Sequence, residues 1–191
     1  MNKRTSYPLF LVIIFCLLIS CGGETLPKPK GMLRLSYPTP DYEKFQTDCS
    51  YTFEKNKISK FQKPKYNRKC WYNLEYPDLK ATVYISYHKI HNNLDSLLRD
   101  AQNLTQEHFV KADAIKPKDF INTEDKIYGR IYTVSGNAAS QSQFYVTDST
   151  THFLSGSVYF KVRPNYDSIQ PAANYLHNDV LHLVETIKWG E

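Results

Sequence analysis

Three stretches between residues 126 and 160 alternate from one sheet face to the other, and the turns between them are only a few residues long. In residues 126–135, Ile127, Gly129, Ile131 and Thr133 fall on one side and Tyr128, Arg130, Tyr132 and Val134 on the other. Gly136-Asn137-Ala138 turns the chain into residues 142–147, and Asp148-Ser149-Thr150 turns it again into residues 153–160. A period of two residues bounded by Gly, Asn, Asp and Ser predicts an antiparallel meander of three strands.

Beyond Pro164 the period changes. Ile169, Ala172, Ala173, Leu176, Val180, Leu183, Val184 and Ile187 form one stripe at steps of three and four, which predicts a closing helix lying on a sheet. Asp167 or Ser168 is the expected cap, with Pro171 in the permissive first turn. Upstream, residues 32–37 read as a first strand stopped by Pro38, residues 51–53 as a short strand, and residues 71–76 as a better one. Pro77-Asp78 then turns the chain into residues 81–87, with Ala81, Val83, Ile85 and Tyr87 on one half-buried face. Leu94, Leu97, Leu98, Ala101, Leu104, Thr105 and His108 predict an amphipathic helix capped by Asn92 or Asn93. It fades near Ala114, and Pro117 excludes its continuation. The fold class that follows is α+β, a mostly antiparallel sheet packed with two main helices. The order of elements resembles the PsbP/Mog1-type sandwich.

The amino terminus has a different character. Lys3 and Arg4 precede an apolar run over residues 9–19, the layout of a secretory signal and too short for the roughly 20 residues that span a bilayer. Leu18-Ile19-Ser20-Cys21 resembles the bacterial lipobox, which implies acyl chains of the palmitate type on Cys21 and a stable membrane anchor. The division expected is a signal peptide over residues 1–20, a Gly- and Pro-containing lipidated tether over 21–30, and a single α+β domain over 31–191. Gly22 is not the Asp that favours inner-membrane retention, and no acidic cluster follows. The expected location is the periplasmic face of the outer membrane.

Of four cysteines, Cys16 leaves with the signal and Cys21 takes lipid. Cys49 and Cys70 remain as an even pair in an oxidising compartment, so a disulfide is expected, closing a lysine-rich and weakly patterned loop. The net charge is +5, or +3 without Lys3 and Arg4, with signs interspersed, and this does not call for a nucleic-acid partner.

Candidate chemistry is sparse. Asp148, Ser149 and His152 have the residue types of a hydrolase triad, but no Gly-x-Ser-x-Gly elbow accompanies them, and an Asx turn is the simpler reading. His88 with His91, and His177 with His182, are spaced to point apart on their elements and make poor metal ligands. Glu43, Asp48, Glu54 and Glu75 are scattered, and the seven glycines never form a phosphate-binding array. No catalytic residue, metal or cofactor is therefore assigned. Fifteen tyrosines are the unusual feature, and Tyr84, Tyr132, Tyr145 and Tyr159 are candidates for an exposed sheet face or a pocket wall. Strand propensity accounts for them equally well.

Several stretches together resemble one family: 26–30 (Leu-Pro-Lys-Pro-Lys), 97–102 (Leu-Leu-Arg-Asp-Ala-Gln), 137–149 with Gln143-Phe144-Tyr145-Val146-Thr147-Asp148-Ser149, and Pro171-Ala172-Ala173. They resemble the gliding-motility lipoprotein GldD family of Bacteroidota, from the lipobox to Thr186-Ile187-Lys188-Trp189. The resemblance implies an envelope lipoprotein required for gliding and for the associated type IX secretion and adhesin machinery, with other envelope proteins of that machinery as partners. It carries over no catalytic residue, only the lipid-bearing Cys21. The expected role is a non-catalytic accessory or assembly factor; the alternatives are an envelope hydrolase or a sugar- or small-molecule-binding module.

Overall fold

The computed structural model describes residues 36–64, 68–107, 110–162 and 165–190. Among these residues, ten strands and two helices occur in the order β1 (Tyr42–Gln46), β2 (Tyr51–Asn56), β3 (Lys60–Gln62), β4 (Tyr72–Tyr76), β5 (Ala81–Lys89), α1 (Leu94–Gln106), β6 (Ala112–Asn122), β7 (Ile127–Gly136), β8 (Ser140–Thr147), β9 (His152–Phe160), α2 (Tyr166–Glu185) and β10 (Lys188–Trp189). Seven strands form one antiparallel sheet in the order β3-β4-β5-β9-β8-β7-β6, and β1-β2-β10 form a second. The fold is α+β and mostly sheet.

Alternation decides which face of the large sheet is dry. Leu74 and Tyr76 of β4, Val83 and Ile85 of β5, Leu154 and Val158 of β9, Phe144 and Val146 of β8 and Ile131 of β7 all enter the main core. Tyr51 and Phe53 of β2 and Leu176, Val180, Leu183 and Val184 of α2 close that core from the other side. Each such side chain contributes about 1.5–3 kcal/mol by leaving water, so this layer dominates the stability of the fold. The described residues cover the opposite face of the large sheet only in part. There α1 lays Leu94, Leu97, Leu98 and Ala101 over Tyr132, Tyr145 and Phe153.

The meander, β4, β5 and the closing stripe from Ile169 to Val184 lie where the periodicities put them; Ile187 falls beyond the helix, which ends at Glu185. Other expectations are corrected. Residues 32–35 lie outside the described residues, Ser36 and Tyr37 are not in a strand, and the first described strand is instead Tyr42–Gln46. Helix α1 ends at Gln106 rather than near Ala114; Leu104 faces outward at 41% exposure and His108 lies outside the described residues. The chain becomes β6, an edge strand in which Pro117 pairs with Tyr132. Proline is tolerated there because an edge strand need not donate every N–H to a neighbour, and with little of the strand buried no alternation marks it in the sequence. The helix α2 begins after Asn165, before the expected caps, which places Pro171 in its second turn. Neither Asn93 nor Asn165 caps its helix through its side chain; the Asn93 amide oxygen accepts the His91 N–H at 2.8 Å.

Candidate functional site

The register of the large sheet shows where the four candidate tyrosines stand. Tyr84 pairs with Ser157, Ser157 with Gln143, and Gln143 with Tyr132. Tyr145 pairs with Ser155 and Tyr159 with Thr82, two residues along from Tyr84 and on the same side of the pleat. All four therefore share one sheet face, the one away from the main core. Helix α1 divides them. Tyr132 and Tyr145 are each 8% exposed and form the small core beneath that helix, with Tyr145 stacked on Phe153 at 6.0 Å. Tyr84 is 42% exposed and meets the half-buried Tyr159 edge to face at 5.7 Å.

Where no described residue covers this face there is a groove of about 520 Å³ over β4 and β5. Trp71, Asn73, Thr82, Tyr84 and Ser86 line it, with Gln62, Lys63 and Lys161 at its margin. Trp71 was placed in a strand by its sequence context and not in a site. Three contacts hold its indole: the ring N–H donates to the Tyr87 carbonyl at 3.1 Å, the Arg68 guanidinium lies over the ring at 4.6 Å, and His88 packs against it at 5.6 Å. The Glu75 carboxylate accepts from both the Gln62 amide and the Lys161 ammonium, so the Lys161 charge is compensated inside the protein. Among the described residues no hydrogen bond uses the side chain of Asn73, Thr82, Tyr84 or Ser86. These groups are free to bond with something else.

The residues weighed for catalysis do not assemble. The Asp148 carboxylate accepts the N–H groups of Thr150, Thr151 and His152 at 3.0, 2.8 and 2.7 Å, which is the Asx turn between β8 and β9. Those bonds hold its carboxyl below the ordinary pKa, against the opposing effect of burial. His152 is engaged by other partners. Its Nδ1 lies 2.7 Å from the Tyr87 hydroxyl and its ring stacks on Trp189 at 5.1 Å. Burial lowers the pKa of His152, so the imidazole is neutral near pH 7. His88 is likewise lowered by burial and by Arg68, and His177 by burial beside Ser142, 3.0 Å from its hydroxyl. His182 stacks on Tyr42 at 3.6 Å and bonds Glu54 at 2.8 Å. Among the described residues no three His, Cys, Asp or Glu side chains gather as a metal site requires.

Two further clusters brace the molecule. Cys49 and Cys70 are joined by a disulfide, and the loop it closes carries β2 and β3, so it is far less irregular than its composition implied. Tyr51 donates to the Cys70 carbonyl at 2.9 Å, tying the bridge to the core. The second cluster was not legible at all. Asp179, 4% exposed within the apolar stripe of α2, accepts from Tyr42 at 2.8 Å and from Asn56 at 3.0 Å. Burial raises its pKa despite these bonds, and burial also raises the Tyr76 phenol beside it. Cys21 and the tether lie outside the described residues, and among those residues no helix is long and apolar enough to cross a membrane.

The family model described as gliding motility lipoprotein GldD aligns with residues 22–189. No curated protein matches the chain.

Proposed function

The chain belongs to the gliding motility lipoprotein GldD family, and from there we propose that it serves gliding as a lipid-anchored, non-catalytic accessory or assembly factor linked to type IX secretion and adhesin export. Its post is the periplasmic face of the outer membrane, and its partners are other envelope proteins of that machinery. The observation that carries the reading is the extent of the family match, which begins at the residue after Cys21 and runs through the last described strand. The polar, tyrosine-bearing face of the large sheet supports a binding role, and the engagement of His152 Nδ1 by the Tyr87 hydroxyl speaks against a Ser-His nucleophile there.

Replacing Cys21 with Ala in cells tests the anchor. The protein is expected to leave the membrane fraction and gliding to stop; a soluble, unlipidated protein that still supports gliding sinks the reading. Crosslinking in intact cells with mass spectrometry tests the partners, and envelope components of the gliding and secretion machinery are the expected products. Ala at Ser149, His152 and His88 is expected to leave gliding and secretion intact, whereas loss of either in a folded, correctly located variant favours a hydrolase.

A further inference from the structure

The groove over β4 and β5 has the make-up of a binding site whose contents the accessory role does not require. Its wall is aromatic and already fixed. Trp71 is clamped by the Tyr87 carbonyl, Arg68 and His88, so little ordering remains to be paid for when a ligand lies against it. Tyr84 stands exposed on the next strand, supported from the side by Tyr159. The floor between them carries the amide of Asn73 and the hydroxyls of Thr82 and Ser86, neutral groups that both donate and accept. At about 520 Å³ the space falls within the range of ordinary ligand pockets.

We propose that this groove binds a short neutral saccharide, with pyranose rings laid against Trp71 and Tyr84 and ring hydroxyls bonded to Asn73, Thr82 and Ser86. The chemistry separates this ligand from its rivals. An ion would need concentrated charge, but Lys161 is already engaged with Glu75, which leaves Lys63 as a single charge at the margin of an uncharged floor. A hydrocarbon would leave the amide and two hydroxyls buried without partners, at a cost that apolar contact does not recover. An extended peptide gains most of its affinity by pairing with a free strand edge, whereas β4 lies between β3 and β5, and β5 between β4 and β9. The backbone of both strands is spent on the sheet. A polyhydroxylated ring offers an apolar face for the aromatic wall and a rim of hydroxyls for the floor.

The chain has two tryptophans, and they report separately. Trp71 lines the groove, while Trp189 stacks on His152 and donates to the Lys126 carbonyl. Full-length lipoprotein in detergent is titrated with cellotetraose, chitotetraose and maltotetraose, following tryptophan fluorescence and heat. Saturable binding of at least one is expected, with Tyr84→Ala weakening it about tenfold and Asn73→Ala severalfold, as for contacts at the centre of a site. Trp71→Phe is expected to remove the fluorescence change, and 0.5 M salt is expected to leave the affinity unchanged because the bonding groups and the ligand are all neutral, screening being nearly complete at about that strength. Asp95→Ala, on the exposed side of α1, is expected to bind as the parent does. The proposal is overturned if none of the three saccharides saturates, if Tyr84→Ala and Asn73→Ala bind as the parent does, if salt abolishes binding, or if an uncharged Gly-Ser tetrapeptide binds more tightly than any of them. None of these outcomes bears on membrane anchoring or gliding, so the accessory role is tested apart from it.

Discussion

The Asp179 carboxylate of the closing helix accepts the hydroxyl proton of Tyr42, 137 residues earlier in the chain, at 2.8 Å. That bond joins the first described strand to the last helix, and the Asn56 amide completes it from β2. A buried carboxylate has to be compensated by bonds of this kind, and here the compensation comes from two strands distant in sequence.

Asp179→Ala leaves Asn56 and Tyr42 without their acceptor and is expected to cost about 1–3 kcal/mol. Thermal melts should show the midpoint falling by several degrees, and Tyr42→Phe should fall less because it removes one donor and buries no new polar group. Burial raises the Asp179 pKa above its ordinary 3.8, so the native state holds that proton more tightly than the unfolded chain. Its contribution is full below pH 3.8 and is lost as the pH rises through the folded value. Asp179→Asn should abolish that part of the pH dependence of the midpoint.

Histidine titration has the opposite sign. His88, His152 and His177 are each lowered from 6.5 by burial, so between the folded values and 6.5 the unfolded chain binds more protons. Stability should therefore drop as the pH falls from above 6.5 through the folded values. Melts in the Asp179→Asn background isolate the effect, and His177→Gln should flatten the slope in that window. A midpoint that rises on acidification in this background contradicts the assignment.

Reduction of the Cys49–Cys70 bridge, with its separation of 21 residues, should cost about 3 kcal/mol on the chain-entropy account. Urea unfolding with and without reductant measures it. Because β2 and β3 lie inside the closed loop and pair with other strands, the reduced protein should still fold. Thiol labelling of both cysteines in native protein taken from the periplasm contradicts the bridge itself.

Gly129 is expected to tolerate no side chain. A Cβ there would run into the Tyr145 carbonyl oxygen and come within 2.8 Å of the Val146 Cα, both backbone atoms of the paired strand β8. Gly129→Ala should lower the urea midpoint by an amount corresponding to about 1–3 kcal/mol or more, the range of overpacking. Gly190→Ala provides the comparison: its nearest atoms belong to Ser50 at 3.4 Å, and its midpoint should barely move.

What could be read in advance follows what each segment faces. Strands β4, β5, β7, β8 and β9 have one face in the main core, so their alternation appears in the residues themselves. Strand β6 is an exposed edge and carries almost no such signal, and its proline reads as a breaker until the sheet order shows that it has a neighbour on one side only. Trp71 and Asn73 gave no hint of a groove, because a groove depends on what fails to cover a sheet face. Nothing in the sequence marks Asp179 as a tie point, because its partners come from residues 42 and 56.

The sequence by itself determined the secondary-structure periods, the α+β class, the two cysteines left to pair and the family, because each of these rests on residues close together or on composition. Only the tertiary structure decided that four tyrosines on one sheet face divide into a buried pair and an open pair. Burial of Tyr132 and Tyr145 depends on α1 crossing strands that follow it in the chain, and exposure of Tyr84 depends on that helix ending where it does. Period-two spacing assigns a side chain to a face, but which part of that face stays open to solvent is decided by the packing of elements remote in sequence.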